Sequence, residues 1–325
     1  MRVLQVTEFG DPSALRVAEV PEPTVGANGI KVRVEGVGIG YFDGLLIKGE
    51  YQIKPPLPFV PGSSLAGTVE SVGEKVSDIN VGDKVVSFAF LGGLAEKMVL
   101  PASSAVVLPD GINLQDASNF FMAYATAVLG LKDVGKVQEG ERVLVLGASG
   151  TTGTTAIEIA KAQGAIVIAC ASTEEKRQRC IDNGADHAID YTKDDWRKDL
   201  KKVCPMGVDV VYDPIGGRWA EPALRSMAPG GRYLVVGFVD GIASIPFNLP
   251  LLKRCAVMGV NWGAESMANP AIVPPIIKQI IEWTLEGKLN TTPEKIYSLE
   301  QGGEAFAKLF DRTSIGKIVI NPSLR

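Results

Sequence analysis

The chain has 325 residues, roughly twice the length of a typical domain, so two domains around separate cores are expected. With 46% hydrophobic residues, 22% charged residues and a net charge of -4, the composition excludes a disordered chain and disfavours binding to nucleic acid or an anionic membrane. No uncharged apolar run reaches the roughly 18 residues of a spanning helix, and the start, MRVLQVTEFG, lacks the basic and hydrophobic regions of a signal peptide, so a cytoplasmic location is expected.

From Arg2 to Pro109 the chain reads as short β segments broken by turns: VLQVTEF, LRVAEV, IKVRVEGVGI, AGTVESVG, DKVVSF and AEKMVL. This pattern predicts a mostly antiparallel β domain. QDASNFFMAYATAVLGLKDV then has helical spacing and predicts a helix that links two domains.

From Glu141 to Asn261, six apolar segments alternate with helical ones: RVLVLG, AIVIACA, HAIDY, VDVVYD, GRYLVVG and CAVMGVNW. Repeated βα units of this kind predict a parallel, doubly wound sheet. The run KDDWRKDLKK reads as a solvated helix face. Helices at Pro270 to Glu286 and Gln301 to Asp311 follow, and a last strand, IGKIVI, is expected to return to the first domain.

The first parallel strand breaks into GASGTTG, with Gly147, Gly150 and Gly153 spaced GxxGxxG. Glycines let the backbone turn sharply and approach a pyrophosphate at a helix N-terminus. A bare glycine triplet equally fits a plain turn, but strand, loop, helix and second strand occur here in register, which points to a dinucleotide.

An acidic residue about 20 positions further on would bond the ribose 2′-hydroxyl of NAD. The corresponding place reads CASTEEKR, with Ser172 at the strand end and Lys176 and Arg177 within a turn. A hydroxyl and a cation suit the 2′-phosphate of NADPH. Glu174 and Glu175 argue the other way, unless they are first-turn helix acids.

The sole histidine, His187, reads as an exposed strand residue, and the four cysteines, Cys170, Cys180, Cys204 and Cys255, all lie in the second half and read as reduced thiols. The first domain can therefore offer zinc only carboxylates, whereas zinc sites normally use Cys and His. No tyrosine is followed by lysine four positions later, so the Tyr-x-x-x-Lys proton donor of short-chain dehydrogenases is missing as well.

LPFVPGSSLAGTVESVGEKVSDINVGDKVV, GLAE, AYATAVLGL, LGASGTTG, GADHAIDY and GGRYLVVGF together resemble the zinc-free quinone oxidoreductase branch (zeta-crystallin-like) of the medium-chain dehydrogenase/reductase superfamily, over nearly the whole chain. Where zinc-dependent relatives carry a histidine and a cysteine, this chain has Ser63 and Gly40. The resemblance implies a discontinuous GroES-like domain (1–121 and 263–325), a Rossmann NADPH-binding domain (122–262), a homodimer, and an active site in the cleft between the domains.

The resemblance also implies that Lys176, Tyr191 and Arg312 hold the 2′-phosphate, alongside Gly147, Gly150, Thr151, Thr152, Gly153, Ser172, Gly237 and Phe238 as cofactor-binding residues. Tyr51 and Thr126 are the expected catalytic residues, with Tyr41, Phe42, Leu46 and Phe238 contacting substrate. Leu45 and Gly40 depart from the family pattern. The implied activity is metal-independent hydride transfer from NADPH to a quinone or related electron-poor acceptor. Reduction of activated C=C bonds (alkenal, enone or enoyl thioester) and a largely structural NADPH-binding role are the alternatives.

Overall fold

A computed structural model describes residues 1–324. They fall into two compact units: 1–122 with 277–285 and the chain from Thr291 onward, and 123–276 with 286–290.

The first unit opens with an antiparallel pair, β1 (Arg2–Gln5) and β2 (Arg16–Glu19). Its central strand is β3 (Gly29–Gly38), where alternation buries Ile30, Val32 and Val34 and turns Arg33 outward. Helix α1 (Tyr41–Lys48) follows, started by Gly40 and ended by Gly49 in the left-handed region (φ 69°). Strands β4 (Ser64–Val72), β5 (Lys84–Phe88), β6 (Lys97–Pro101) and β7 (Ala105–Val107) complete the N-terminal part.

The predicted linking helix is not a uniform helix. Leu114–Ala117 (α2) and Ala125–Val128 (α3) are α-helical, but Phe120–Tyr124 and Leu129–Val134 wind as π turns. The Gly135 N–H reaches the Gly130 carbonyl at 2.7 Å, five residues back, and a side chain at Gly130 would crowd Tyr212 and Val260. The division between the units falls inside this stretch, at Met122/Ala123.

All six predicted strands of the second unit form: β8 (Arg142–Val145), β9 (Ile166–Cys170), β10 (His187–Ile189), β11 (Val208–Asp213), β12 (Met227–Val235) and β13 (Ala256–Gly259). They make one parallel sheet in the order β10-β9-β8-β11-β12-β13. Between and after them run α4 (Thr151–Ala162), α5 (Glu174–Asp182), α6 (Trp196–Val203), α7 (Ala220–Arg225), α8 (Asn248–Lys253) and α9 (Trp262–Ala268). In α6, Trp196 and Leu200 are buried four residues apart and the charges of KDDWRKDLKK face water, as an amphipathic helix requires.

Trp262 does not extend the sixth strand as its sequence suggests. The Asn261 side chain accepts the Ala264 N–H at 3.0 Å and starts α9 there. Residues 263–276 and 286–290 belong to the second unit, not to the return of the first as the expected 262/263 boundary has it. Ala271, Ile272, Pro275 and Ile276 line a groove together with Val128, Lys132 and Asp133 of the helical stretch, within the same unit.

Helix α10 (Val273–Leu285) crosses the division, and the chain returns to the first unit through β14 (Lys295–Tyr297), α11 (Gly302–Phe310) and β15 (Ile318–Ile320). The main sheet of that unit runs β14-β15-β3-β4-β5-β7, with β6 also on β3. Strand β15 therefore lies antiparallel to β3, the return that IGKIVI predicts. The first unit is thus mostly antiparallel and GroES-like, and the second is a Rossmann sheet.

Candidate functional site

Because every strand of the second unit is parallel, the loops after β8, β9, β10, β11 and β12 gather at one edge of the sheet, where α/β proteins bind ligands. The three glycines of the first loop serve three different needs. Gly147 is left-handed (φ 57°), and a Cβ there would lie 2.4 Å from Ile215. At Gly153 a Cβ would lie 2.4 Å from the Gly147 carbonyl, so this glycine lets α4 pack against the strand end. At Gly150, the residue that starts α4, a Cβ would meet nothing closer than 3.7 Å. That space is open to a ligand beside the first N–H groups of α4, with half-buried Thr151 and Thr152 at its rim and no acid in the first turn. The cradle fits the pyrophosphate of a dinucleotide.

After β9, Ser172 is half-buried, and Thr173 caps α5 by accepting the Lys176 N–H at 3.2 Å. Glu174 and Glu175 occupy the exposed first turn of α5. Arg177 does not face a ligand as its place beside Lys176 suggests. Its Nη1 donates to the carbonyls of Ala171 (3.4 Å) and Ser172 (3.1 Å) and pairs with Asp190 at 3.3 Å. Lys176 is half-buried on α5, and Tyr191, just beyond β10, packs on Trp219 with ring centroids 4.5 Å apart. His187 is exposed on the edge strand.

Asp213, at the end of β11, escaped the sequence reading. It accepts the N–H groups of Ile215 (2.7 Å) and Gly216 (2.8 Å) and the hydroxyl of Tyr233, fixing the next loop. Burial pushes its carboxyl up, while these donors pull it back. After β12, Gly237 runs so close to Pro214 that a Cβ would lie 2.8 Å from its carbonyl, and Phe238 is 53% exposed. The second unit thus gathers all the predicted cofactor-binding residues except Arg312. Thr126, half-buried on α3, also belongs to it.

The first unit holds the other candidates. Phe42 meets Tyr51 edge-on at 4.8 Å and Phe90 at 5.6 Å, and Tyr41 meets Phe310 at 5.5 Å. Burial raises the Tyr41 phenol, with Glu50 adding to the rise and Arg312 opposing it. Arg312 is exposed at the end of α11, in the left-handed region (φ 55°). Leu46, expected to contact substrate, does not line a surface: it is 0% exposed and belongs to the core with Leu65 and Phe306.

Asp43, also missed, is 2% exposed, and its Oδ2 accepts the Gly40 N–H at 3.0 Å at the start of α1. Burial pushes this carboxyl up to about 6, against the pull of the Gly40 N–H, the Ser63 hydroxyl and the N–H groups of Asp43 and Gly62. Only the Gly40 contact has full hydrogen-bond geometry. Asp43 Oδ1 and Ser63 Oγ are buried without a hydrogen-bond partner. Gly40 followed by an acid three residues on is only half of a capping box, which is why the sequence did not flag Asp43. Among the described residues, no three His, Cys, Asp or Glu side chains are grouped so that they could hold a metal ion.

Family models match in two places: an alcohol dehydrogenase GroES-like domain over residues 26–110, and a zinc-binding dehydrogenase domain over 151–278. Quinone oxidoreductase-like protein 2 of Rattus norvegicus is 33% identical over 323 residues, covering 98% of this chain and 92% of that protein. The chain belongs to the medium-chain dehydrogenase/reductase family, in its quinone oxidoreductase branch. Solved structures of the family agree. A probable oxidoreductase from Mycobacterium abscessus superposes with a TM-score of 0.91 at 32% identity, covering 99% of both chains. Escherichia coli quinone oxidoreductase complexed with NADPH gives 0.91 at 25% identity, covering 99% of this chain and 100% of that one. The second model's description names zinc, but its match covers residues 151–278 and so includes neither Gly40 nor Ser63.

Proposed function

We propose that this oxidoreductase transfers hydride from NADPH to a quinone or related electron-poor acceptor, without a metal. The observation that carries the cofactor reading is the open cradle at Gly150 combined with Ser172, not a carboxylate, at the end of β9. The NADPH complex of the Escherichia coli relative supports it.

The chemistry supplied by bound NADPH is donation of a hydride. The N–H groups at the start of α4 hold the pyrophosphate, and Ser172 and Lys176 hold the 2′-phosphate, with Tyr191 and Arg312 as the further family candidates. The Tyr51 or Thr126 hydroxyl supplies a proton to the reduced acceptor and regains it from solvent. Tyr41, Phe42 and Phe238 offer aromatic surface to a flat acceptor. Among the described residues no set of side chains fits a zinc ion, so no step is assigned to one.

NADPH absorbance followed with 9,10-phenanthrenequinone, simple benzoquinones, a 2-alkenal and crotonyl-CoA, each repeated with NADH, tests this. Quinone turnover with NADPH above NADH is expected. Turnover confined to the alkenal or thioester would replace the acceptor, and none at all would leave a nucleotide-binding protein.

We further propose a cytoplasmic homodimer paired along β13. That strand forms one edge of the sheet, and Val257 on it is exposed, as are Ile242, Phe247, Leu251 and Leu252 in the segment that precedes it in the chain, Phe247 by 90%. Sedimentation should give a dimer, and Val257→Lys should shift it to monomer.

A further inference from the structure

The loop after β11 carries a cation with no role so far. Gly216 and Gly217 are both left-handed (φ 68° and 53°), and Asp213 pins the Ile215 and Gly216 N–H groups. The Gly217 N–H donates to the Gly241 carbonyl at 2.7 Å, and a Cβ at Gly217 would lie 2.3 Å from the Asp240 carbonyl. The backbone that launches Arg218 is therefore fixed.

The Arg218 guanidinium lies 4.5 Å from the Trp219 ring, and the other neighbour of that ring is Tyr191, also at 4.5 Å. Tyr191 follows Asp190, which holds Arg177, which in turn holds the Ser172 carbonyl. Contacts thus run from Arg218 through the buried Trp219 to Tyr191, and from Asp190, next to Tyr191 in the chain, through Arg177 to the Ser172 turn. Of the two cations that the sequence offered next to Ser172, Arg177 directs its Nη1 to Asp190 and to the carbonyls of Ala171 and Ser172. Arg218 keeps 75% of its side chain exposed, with the Asp240 carboxylate only at 4.0 Å.

Resting on the NADPH reading above, we propose that Arg218, held beside Trp219, whose ring also packs on Tyr191, is a specificity-determining cation for the 2′-phosphomonoester of the nucleotide. A guanidinium held against an indole loses less rotamer freedom on binding, and its fork of N–H donors matches phosphate oxygens. Arg177 instead positions the Ser172 turn.

The test measures dissociation constants of the full chain for NADPH, NADH, 2′,5′-ADP and 5′-ADP, using wild type, Arg218→Ala and Arg218→Lys, with thermal melting as a folding control. Arg218→Ala should weaken NADPH and 2′,5′-ADP about tenfold or more, leave NADH and 5′-ADP within about twofold, and leave melting unchanged. Arg218→Lys should recover part of the loss. Equal loss for all four ligands, or no loss for any, overturns the assignment of Arg218. A wild-type chain that does not favour NADPH over NADH overturns the cofactor reading itself, so the two failures are distinguishable. If Arg218→Ala lowers the melting temperature, Arg218→Lys decides: it should weaken NADPH and 2′,5′-ADP while leaving NADH and 5′-ADP within about twofold, and equal loss for all four ligands, or no loss for any, refutes the proposal.

Discussion

Replacing Asp43 by asparagine should make the protein more stable at neutral pH. The carboxyl is 2% exposed and titrates at about 6 in the folded chain against 3.8 as a reference. Folding therefore favours the protonated form. Below about pH 4 both states carry the proton and the carboxyl costs nothing. Between about pH 4 and 6 the unfolded chain ionises first and stability falls, and above 6 the full penalty remains. A gap from 3.8 to about 6 corresponds to about 3 kcal/mol. The asparagine amide would keep an oxygen for the Gly40 N–H, remove the charge, and turn N–H donors toward the unpartnered Ser63 hydroxyl. Urea denaturation of wild type and Asp43→Asn from pH 4 to 8 isolates the effect as a difference. The variant should gain up to about 3 kcal/mol at pH 7 to 8 and match wild type near pH 4. A variant less stable at pH 7, or a difference that ignores pH, would refute the reasoning.

Gly150→Ala should abolish or weaken nucleotide binding by at least about tenfold with little change in melting, because its Cβ meets only ligand space. Gly153→Ala should instead destabilise the fold by about 1 to 3 kcal/mol, because its Cβ meets backbone at 2.4 Å; calorimetry and titration separate the two. Lys176→Ala should raise the Michaelis constant for NADPH far more than that for NADH, and equal effects would count against a 2′-phosphate contact. Tyr51→Phe should lower turnover while leaving the NADPH dissociation constant unchanged, as read by nucleotide fluorescence titration.

What the sequence revealed was local. The glycines at 147, 150 and 153 could be placed because strand, loop and helix follow within one βα unit, and apolar runs of strand length marked all six parallel strands. Depth could not be read. Phe42 and Leu46, four residues apart, share a face of α1, yet the first-turn residue stays half-exposed and the next turn lies wholly inside. Neighbours along the chain also misled. Lys176 and Arg177 look equivalent in sequence, but about 100° around the helix separates them, and Arg177's acceptors come from the strand end behind it and from Asp190. Trp219 drew no notice because its partner, Tyr191, comes from a different βα unit.

The antiparallel pairing of β15 with β3 joins Val319 to Gly38 and Ile320 to Val37, contacts that span most of the chain. All six strands of the parallel sheet lie between Arg142 and Gly259. During synthesis that sheet can close while this edge of β3 still waits for its partner, because loop closure over such a separation comes late and local βα contacts come early. A newly made chain therefore spends its final stretch of translation with a finished parallel sheet and an unfinished sheet edge. That edge is where chaperone engagement or misassembly would concentrate.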